Sequence, residues 1–396
     1  MSHRTVLIAG AGIAGPALAH WLHRHGMPAT VVERAPGLRA GGQTVDLRGA
    51  GRAVARRMGL EAAVRAASTG EAGIRFVDAR GRTRAALPAD AFGGQGPVTE
   101  LEILRGELCR LLYEATREHT AYVFGDEITH LHDEGDRVHV TFRHAAARAF
   151  DLVIAADGAG SHTRDLVFGD TTRTRHLGLC TAYLTIPREP HDDRWARWHN
   201  ATKGRTVTLR PDNQGTTRAY LSFPTPAHGY ERLEPAAGKR LLRRVFADVG
   251  GEAPRVLAAL ESAPDLYVES VAQVLMPRWS QGRVGVLGDA AHCASPLSGM
   301  GTSLAFTGAY VLAGELARHA HHTDAFAAYE SALRPYVARA QKLPPGVPRI
   351  ASPRTRAGIR TLNTVLRAAG HPRVSRALGR FLVPPADTFR LPAYGV

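Results

Sequence analysis

Three short apolar runs punctuate the chain: residues 6–8, 151–155 and 284–288. Each is rich in valine, isoleucine and leucine and too short for a helix, which suits strands buried on both faces of a parallel sheet. Between them the pattern changes period. Residues 52–59 predict a helix with a glycine stop, and 101–116 a long amphipathic helix. Residues 73–77 and 83–87 predict a hairpin about Asp78-Ala79-Arg80-Gly81, and 121–124, 127–133 and 138–143 a small meander. From 179 to 223 the period approaches two, predicting strands near 180–186, 206–210 and 218–223. A helix is expected at 302–319, and the last 75 residues read as mostly helical, broken by Pro344, Pro345, Pro348 and Pro353.

The first apolar run opens the stretch VLIAGAGIAGPALAHWL, residues 6–22, which admits three readings. A secretory signal has a basic start and an apolar core of about 7–15 residues. A spanning helix needs roughly 18 or more apolar residues, and His20, His23, Arg24 and His25 end this run too early. The third reading accounts for more positions. Gly10, Gly12 and Gly15 follow a strand at G-x-G-x-x-G spacing, and a second strand, 29–32, ends in Glu33, which lies 21 residues after Gly12. Gly10 permits the tight turn, Gly12 the approach of a pyrophosphate, and Gly15 close packing of helix on strand. The helix beginning near Ala14 turns free N–H groups toward phosphate, and Glu33 suits ribose hydroxyls without a 2′-phosphate. A dinucleotide site, with Arg34 beside the acid, is the expectation.

Composition narrows the class. A chain of 396 residues exceeds one ordinary core, so two domains or one large insertion is expected. Cys109, Cys180 and Cys293 are scattered and show no C-x-x-C, which suggests neither a disulfide frame nor zinc and favours a reduced, cytoplasmic protein. The net charge of +14 invites nucleic acid or an anionic membrane. Yet the basic residues are nearly all arginine, spread along the chain without a recognition motif, and lysine occurs only at 203, 239 and 342. Neither a specific nucleic-acid partner nor a membrane partner is expected.

Three further stretches sharpen the reading. In RGELCRLL, Arg105 precedes Leu108 and Leu112 on one helical face; DLVIAADGAGSHTR spans 151–164; GRVGVLGDAAHCASPLSGMG spans 282–301. With the amino-terminal glycines they resemble the group A flavin-dependent monooxygenases, the para-hydroxybenzoate hydroxylase-like family, nearest in flavour to its tetracycline-modifying and polyketide-tailoring hydroxylases. The resemblance covers about residues 1–170 and 275–330 and rests on motif order and spacing.

It implies an α/β fold. A Rossmann-like FAD-binding domain would be drawn from 1–72, 101–172 and 276–320, with an inserted β-rich substrate domain from 73–100 and 173–275 and a helical carboxyl-terminal segment at 321–396. The family's Gly-Asp motif carries over as Gly288 and Asp289, toward the ribityl chain and pyrophosphate. Its Asp-Gly motif carries over as Asp157 and Gly158, and its FAD-contacting arginine as Arg105. Pro296, Gly299, Met300 and Gly301 would lie against the isoalloxazine ring. The chain departs from the family at Ala155, usually glycine, and at Gly308, often aspartate, where a helix cap or flavin-side contact would be lost. His292 reads as packing.

The implied activity consumes NADPH or NADH and O2. Noncovalent FAD, through its C4a-hydroperoxide, would pass one oxygen atom to an aromatic or polycyclic small molecule. Hydroxylation leads; epoxidation, Baeyer–Villiger insertion and N-oxidation share the same oxidant. Tyr183, Arg210, Tyr220, Phe223 and Met300 are the candidates for contact with substrate, and a monomer or homodimer is expected. No catalytic side chain or metal is required, because the flavin carries the chemistry. An FAD oxidase or dehydrogenase, a halogenase (though W-x-W-x-I-P is absent) and a basic nucleotide-holding protein without activity remain as alternatives.

Overall fold

The computed structural model describes residues 4–39, 41–94, 96, 99–263, 265–343, 346, 350–371, 374 and 386–395. The three apolar runs form strands of one six-stranded sheet. Its order is Ser280–Gln281, Val284–Val286, Leu152–Ala155, Val6–Ala9, Ala29–Glu33, Ala121–Phe124. All neighbours pair in parallel except the short Ser280–Gln281 edge. Val6–Ala9 is buried at every position, and the helix Ala14–Arg24 packs behind it beside the long helix Gly301–Arg318. That burial on both faces explains the continuous apolar runs. The carboxyl ends of three adjacent central strands therefore meet at one edge, where an open α/β sheet places its ligand.

A second sheet has seven strands in the order Tyr267–Leu275, Arg173–Pro187, Thr216–Pro224, Arg205–Pro211, Trp195–Ala201, Gly73–Val77, Thr83–Pro88. One face carries Ala182, Leu184, Leu209, Leu221 and Phe223, buried against the helices Pro235–Phe246 and Ala253–Ala259. The other face carries tyrosines and threonines, and Tyr220 on it meets Thr44 of the short strand Thr44–Asp46. The hairpin 73–88 joins this sheet from far upstream, through parallel pairing of Gly73–Val77 with Trp195–Ala201.

Several boundaries differ from the pattern-based expectation. The helix expected from 101 begins at Arg105, because Glu102–Leu104 pairs as a strand with Thr44–Asp46. Ala121–Phe124 leaves the meander to pair with Ala29–Glu33, and the meander itself is Ile128–Asp133, Val138–Phe142, Arg148–Phe150. Trp195–Ala201 and Tyr267–Leu275 are strands that no alternation announced, since polar and apolar residues share both their faces. In the last quarter, His322–Gln341 is one helix despite Pro335 within it, and Arg356–Ala369 is another. Pro353 precedes that second helix, while Pro344, Pro345 and Pro348 lie outside the described residues. No helix among the described residues is long and apolar enough to cross a membrane.

Candidate active site

The turn after Val6–Ala9 builds the first wall. Gly10 has φ +105°, and a Cβ there would stand 2.7 Å from the Ala156 carbonyl, so neighbouring strand ends touch through backbone alone. Ile13, which precedes the helix Ala14–Arg24, supplies no capping side-chain oxygen; Pro16 has no N–H and Ala17 N donates to Ile13 O at 3.2 Å, which leaves the Ala14 and Gly15 N–H groups uncapped at the loop. Glu33 reaches back across it. Its two carboxylate oxygens accept from Ala11 N and Ala35 N, both at 2.9 Å. The exposed Arg34 borders a cleft of about 850 Å3 beside this carboxylate, lined also by Pro36, Arg39, Arg143 and His144.

Arg105, first residue of its helix, lies over this loop. Its Nη2 is 3.4 Å from the position a Gly12 Cβ would take, and its side chain runs along Gly42. The short Glu102–Leu104 strand fixes that placement, and Arg105 N donates to Gln43 O at 3.0 Å.

Asp157 and Gly158 close the loop after Leu152–Ala155. Asp157 accepts from Thr163 N at 3.1 Å and from the Ser161 hydroxyl, so it organises the start of the helix His162–Phe168. The buried Arg164, which the pattern did not single out, donates to Ala159 O at 2.9 Å and Ala290 O at 3.2 Å. It thereby ties the Asp-Gly turn to the Gly-Asp turn. Gly288 has φ +64°, and a Cβ there would meet that of Ala14 at 2.9 Å. Asp289 is exposed, although desolvation by the protein around it raises its carboxyl above the usual range, against a hydrogen bond with the Cys293 thiol and the pull of Arg105. His292, three residues on, is buried against Trp279 at 4.9 Å, and burial pushes its imidazole down to about 3, so it packs as a neutral ring.

Pro296, Gly299, Met300 and Gly301 follow as a turn leading into the helix Gly301–Arg318. Pro296 is exposed, Gly299 is half-buried, and Met300 is buried. Gly301 is 3.8 Å, measured from its Cβ position, from Asp289 Oδ1. Gly308 does not sit where a cap would act. It lies inside the helix, and a Cβ would stand 2.9 Å from Leu287 and 3.4 Å from Leu333, so close packing accounts for the glycine.

The tyrosine face of the second sheet forms the opposite wall. Tyr183 packs edge-on to Tyr220 at 5.0 Å and stacks with Tyr267 at 6.5 Å. Tyr220 accepts from Thr44 N at 3.0 Å, which fastens this wall to the strand that positions Arg105. Glu269, on the same face, lies among Tyr183, Tyr267, Arg105 and Asp289. Burial pushes its carboxyl up to about 7, Asp289 adds to the push, and the phenols and Arg105 oppose it. No alternation marked this residue, because it sits in an unannounced strand; its acidity amid aromatics was the only available signal.

Three sequence candidates for substrate contact are placed otherwise, and one of them, Met300, exposes no surface and packs in the core behind the turn. Phe223 points to the helical side of the sheet, packed on Phe246 at 6.3 Å and Tyr230 at 5.9 Å, because alternation puts it on the face opposite Tyr220 only three residues away. Arg210 shares the tyrosine face but is bound by two buried carboxylates, Glu71 at 2.7 Å and Glu102 at 2.5 Å. It is a partner to the protein's own anions. Burial lifts Glu102 well above the usual carboxylate range, against the attraction of Arg210.

The arrangement suits a dinucleotide with a flat head group. Uncapped N–H groups and a guanidinium converge on a loop whose glycines leave room. Beyond it Ser295 Oγ is buried with no hydrogen-bond partner among the described residues. Ser295 also adopts φ +74°, a conformation a non-glycine residue takes only under constraint. The three cysteines are buried and unpaired, and no group of metal-ligating side chains occurs among the described residues.

Residues 3–343 match the FAD binding domain family. The chain is 42% identical over 346 residues to the uncharacterised protein Rv1260 of Mycobacterium tuberculosis (strain ATCC 25618 / H37Rv), across 86% of this chain and 92% of that one. It is 37% identical over 419 residues to the flavin-dependent monooxygenase eupH of Phoma sp, across 98% and 96%. The crystal structure of tetracycline destructase Tet(55) matches with a TM-score of 0.82 at 32% identity over 100% of both chains.

Proposed function

Since the chain belongs to the FAD-binding family of flavin-dependent monooxygenases, with FAD as cofactor and NADPH or NADH and O2 consumed, we propose that it oxygenates a flat aromatic or polycyclic small molecule laid against the tyrosine face. The observation that carries this reading is the pairing of two walls. Gly12, Arg105 and Asp289 line one side, and Tyr183, Tyr220 and Tyr267 the other, joined through Thr44.

In this assignment Gly12 and the amides of Ala14 and Gly15 take the pyrophosphate with Arg105, Gly10 gives the loop its turn, and Gly15 packs against Gly10 O. Glu33 and Arg34 take the adenosine end. Gly288 and Asp289 take the ribityl chain, beside the turn shaped by Asp157 and Gly158. Pro296, Gly299 and Gly301 support the ring, with Met300 packed in the core behind them. Residues 1–72, 101–172 and 276–320 constitute the cofactor-binding part, 73–100 and 173–275 the substrate part, and 321–396 a closing segment. When bound, FAD supplies the chemistry that divides O2, one atom going to substrate and the other to water. The protein's part is to hold the reactants and exclude water: the aromatic wall takes a planar substrate, and Tyr183 and Tyr267, hydrogen-bonded to Glu269, fix that carboxyl at its polar edge. Hydroxylation of an electron-rich ring fits this wall. The unpaired cysteines suit a reducing, cytoplasmic setting.

Tetracycline destructase Tet(55), by its name, acts on a polycycle, which supports testing compounds of that shape. Heating purified protein should release about one FAD per chain, and a panel of polycyclic phenols should contain members that accelerate NAD(P)H consumption, with label from 18O2 appearing in product. Colourless protein that takes up no added FAD overturns the cofactor assignment; a panel that leaves consumption unchanged in FAD-loaded protein overturns the substrate class.

A further inference from the structure

Beneath Gly299 lies a buried ion pair that the assignments above leave unused. Arg48 is 5% exposed. Its guanidinium lies 3.9 Å (Nη2) and 4.0 Å (Nε) from the position a Gly299 Cβ would occupy. Asp46 pairs with Nη2 at 2.8 Å, and Gly96 O accepts from the same nitrogen at 2.9 Å. The backbone is fixed as firmly. Arg48 N donates to Ser303 Oγ at 3.0 Å, and that hydroxyl donates to Arg48 O at 3.1 Å. Ser303 belongs to the first turn of the helix Gly301–Arg318, so the cation is clamped to the start of that helix.

A buried ion pair is a poor way to gain stability, because desolvation offsets most of the attraction. Its value lies in the field it projects at short range through a medium of low dielectric. Asp46 is itself held on its far side, accepting from Thr99 Oγ1 at 2.8 Å, and only Arg48 of the pair lies within 4 Å of the Gly299 Cβ position. The positive end of the pair is therefore the end presented at Gly299.

We propose that Arg48 is a positioning residue that sets the reduction potential of the bound flavin, its charge beneath Gly299 favouring the reduced, anionic ring, with Asp46 moderating that effect. The inference rests on the reading that the ring lies against Pro296–Gly301. Arg48 touches no reacting atom in this account; it acts through the turn and through space.

The test is the midpoint potential of FAD in the holoenzyme, read by photometric titration against a redox dye of known potential. R48M should shift the redox equilibrium toward oxidised FAD by about tenfold or more, roughly 30 mV for a two-electron couple. R48K, which keeps the charge, should stay near the wild-type value. D46N, which removes the counter-charge, should shift the equilibrium the opposite way. A wild-type potential in R48M, or equal shifts in R48M and R48K, overturns the inference. Should R48M fail to retain FAD, R48K and D46N decide it, and a D46N potential at or below wild type overturns it. Wild-type protein that holds no FAD overturns the cofactor reading and this inference with it, whereas FAD-loaded variants with unchanged potentials overturn the inference alone.

Discussion

Arg105 Nη2 stands 3.4 Å from the point at which a Cβ on Gly12 would project, so a cation and a missing side chain share one small volume. A phosphate entering there meets positive charge and no steric obstacle. Gly12→Val fills the space and should reduce FAD retention at least about tenfold while circular dichroism stays unchanged. Arg105→Met removes a charge-assisted contact of about 1.5–3 kcal/mol, which corresponds to a loss of roughly tenfold to a hundredfold in FAD affinity by fluorescence titration.

Arg210 should register in stability. Its removal in Arg210→Met leaves Glu71 and Glu102, 1% and 3% exposed at their side chains, without a counter-ion. Breaking a buried pair in this way costs about 3–5 kcal/mol in urea unfolding. Lowering the pH should restore part of the loss, because burial already lifts Glu102 well above the usual carboxylate range and its protonation removes one of the stranded charges. A variant of normal stability that has lost only substrate affinity would contradict this account.

Phe223 and Tyr183 should separate cleanly. Phe223→Ala opens a hole among Phe246, Tyr230 and Leu221 and costs about 3–5 kcal/mol, with the folded fraction binding polycyclic phenols as before. Tyr183→Ala removes part of the tyrosine wall and should weaken phenol binding, read by quenching of flavin fluorescence.

Glu269 makes stability depend on pH in a definite direction. Its folded carboxyl titrates near 7, above its value of 4.5 in the unfolded chain, so the folded state holds its proton more tightly. Its contribution is fully present below about pH 4.5 and is lost as pH rises through 7. Glu269→Gln should therefore raise the thermal midpoint at pH 8 relative to wild type and change it little at pH 4. Equal differences at both pH values would exclude a carboxyl titrating there.

Gly308→Ala should cost about 1–3 kcal/mol through overpacking against Leu287 and Leu333. Gly308→Asp should cost about 3 kcal/mol or more, since a carboxylate there is buried with only the Tyr329 hydroxyl near it, 3.7 Å from the Cβ position and already donating to Val286 O. Both are read by chemical denaturation, and an aspartate tolerated without loss would show the helix able to move away from Leu287.

The parallel sheet and the loop at its edge were legible in the order of residues alone. Continuous apolar runs signal strands buried on both faces. Glycine at positions 10, 12 and 15, with an acid ending the next strand, expresses needs of the backbone that are local in the chain. The order of motifs then carried the family resemblance. The second wall was legible only in part. Tyr183 and Tyr220 stood out as aromatics in an alternating stretch, but whether a strand residue faces ligand or helices depends on register, and a shift of one position reverses it. That is why Phe223, three residues from Tyr220, packs on Phe246. Arg210 meets Glu71 and Glu102 across 139 and 108 positions of chain, Arg48 meets Ser303 across 255, and Glu269, in a strand of mixed polarity, comes within the field of Asp289 from another element. Such pairings have no periodicity to betray them. The charge of a side chain is written in the sequence, but what neutralises it, and what its field reaches, is decided by which distant strands fold together.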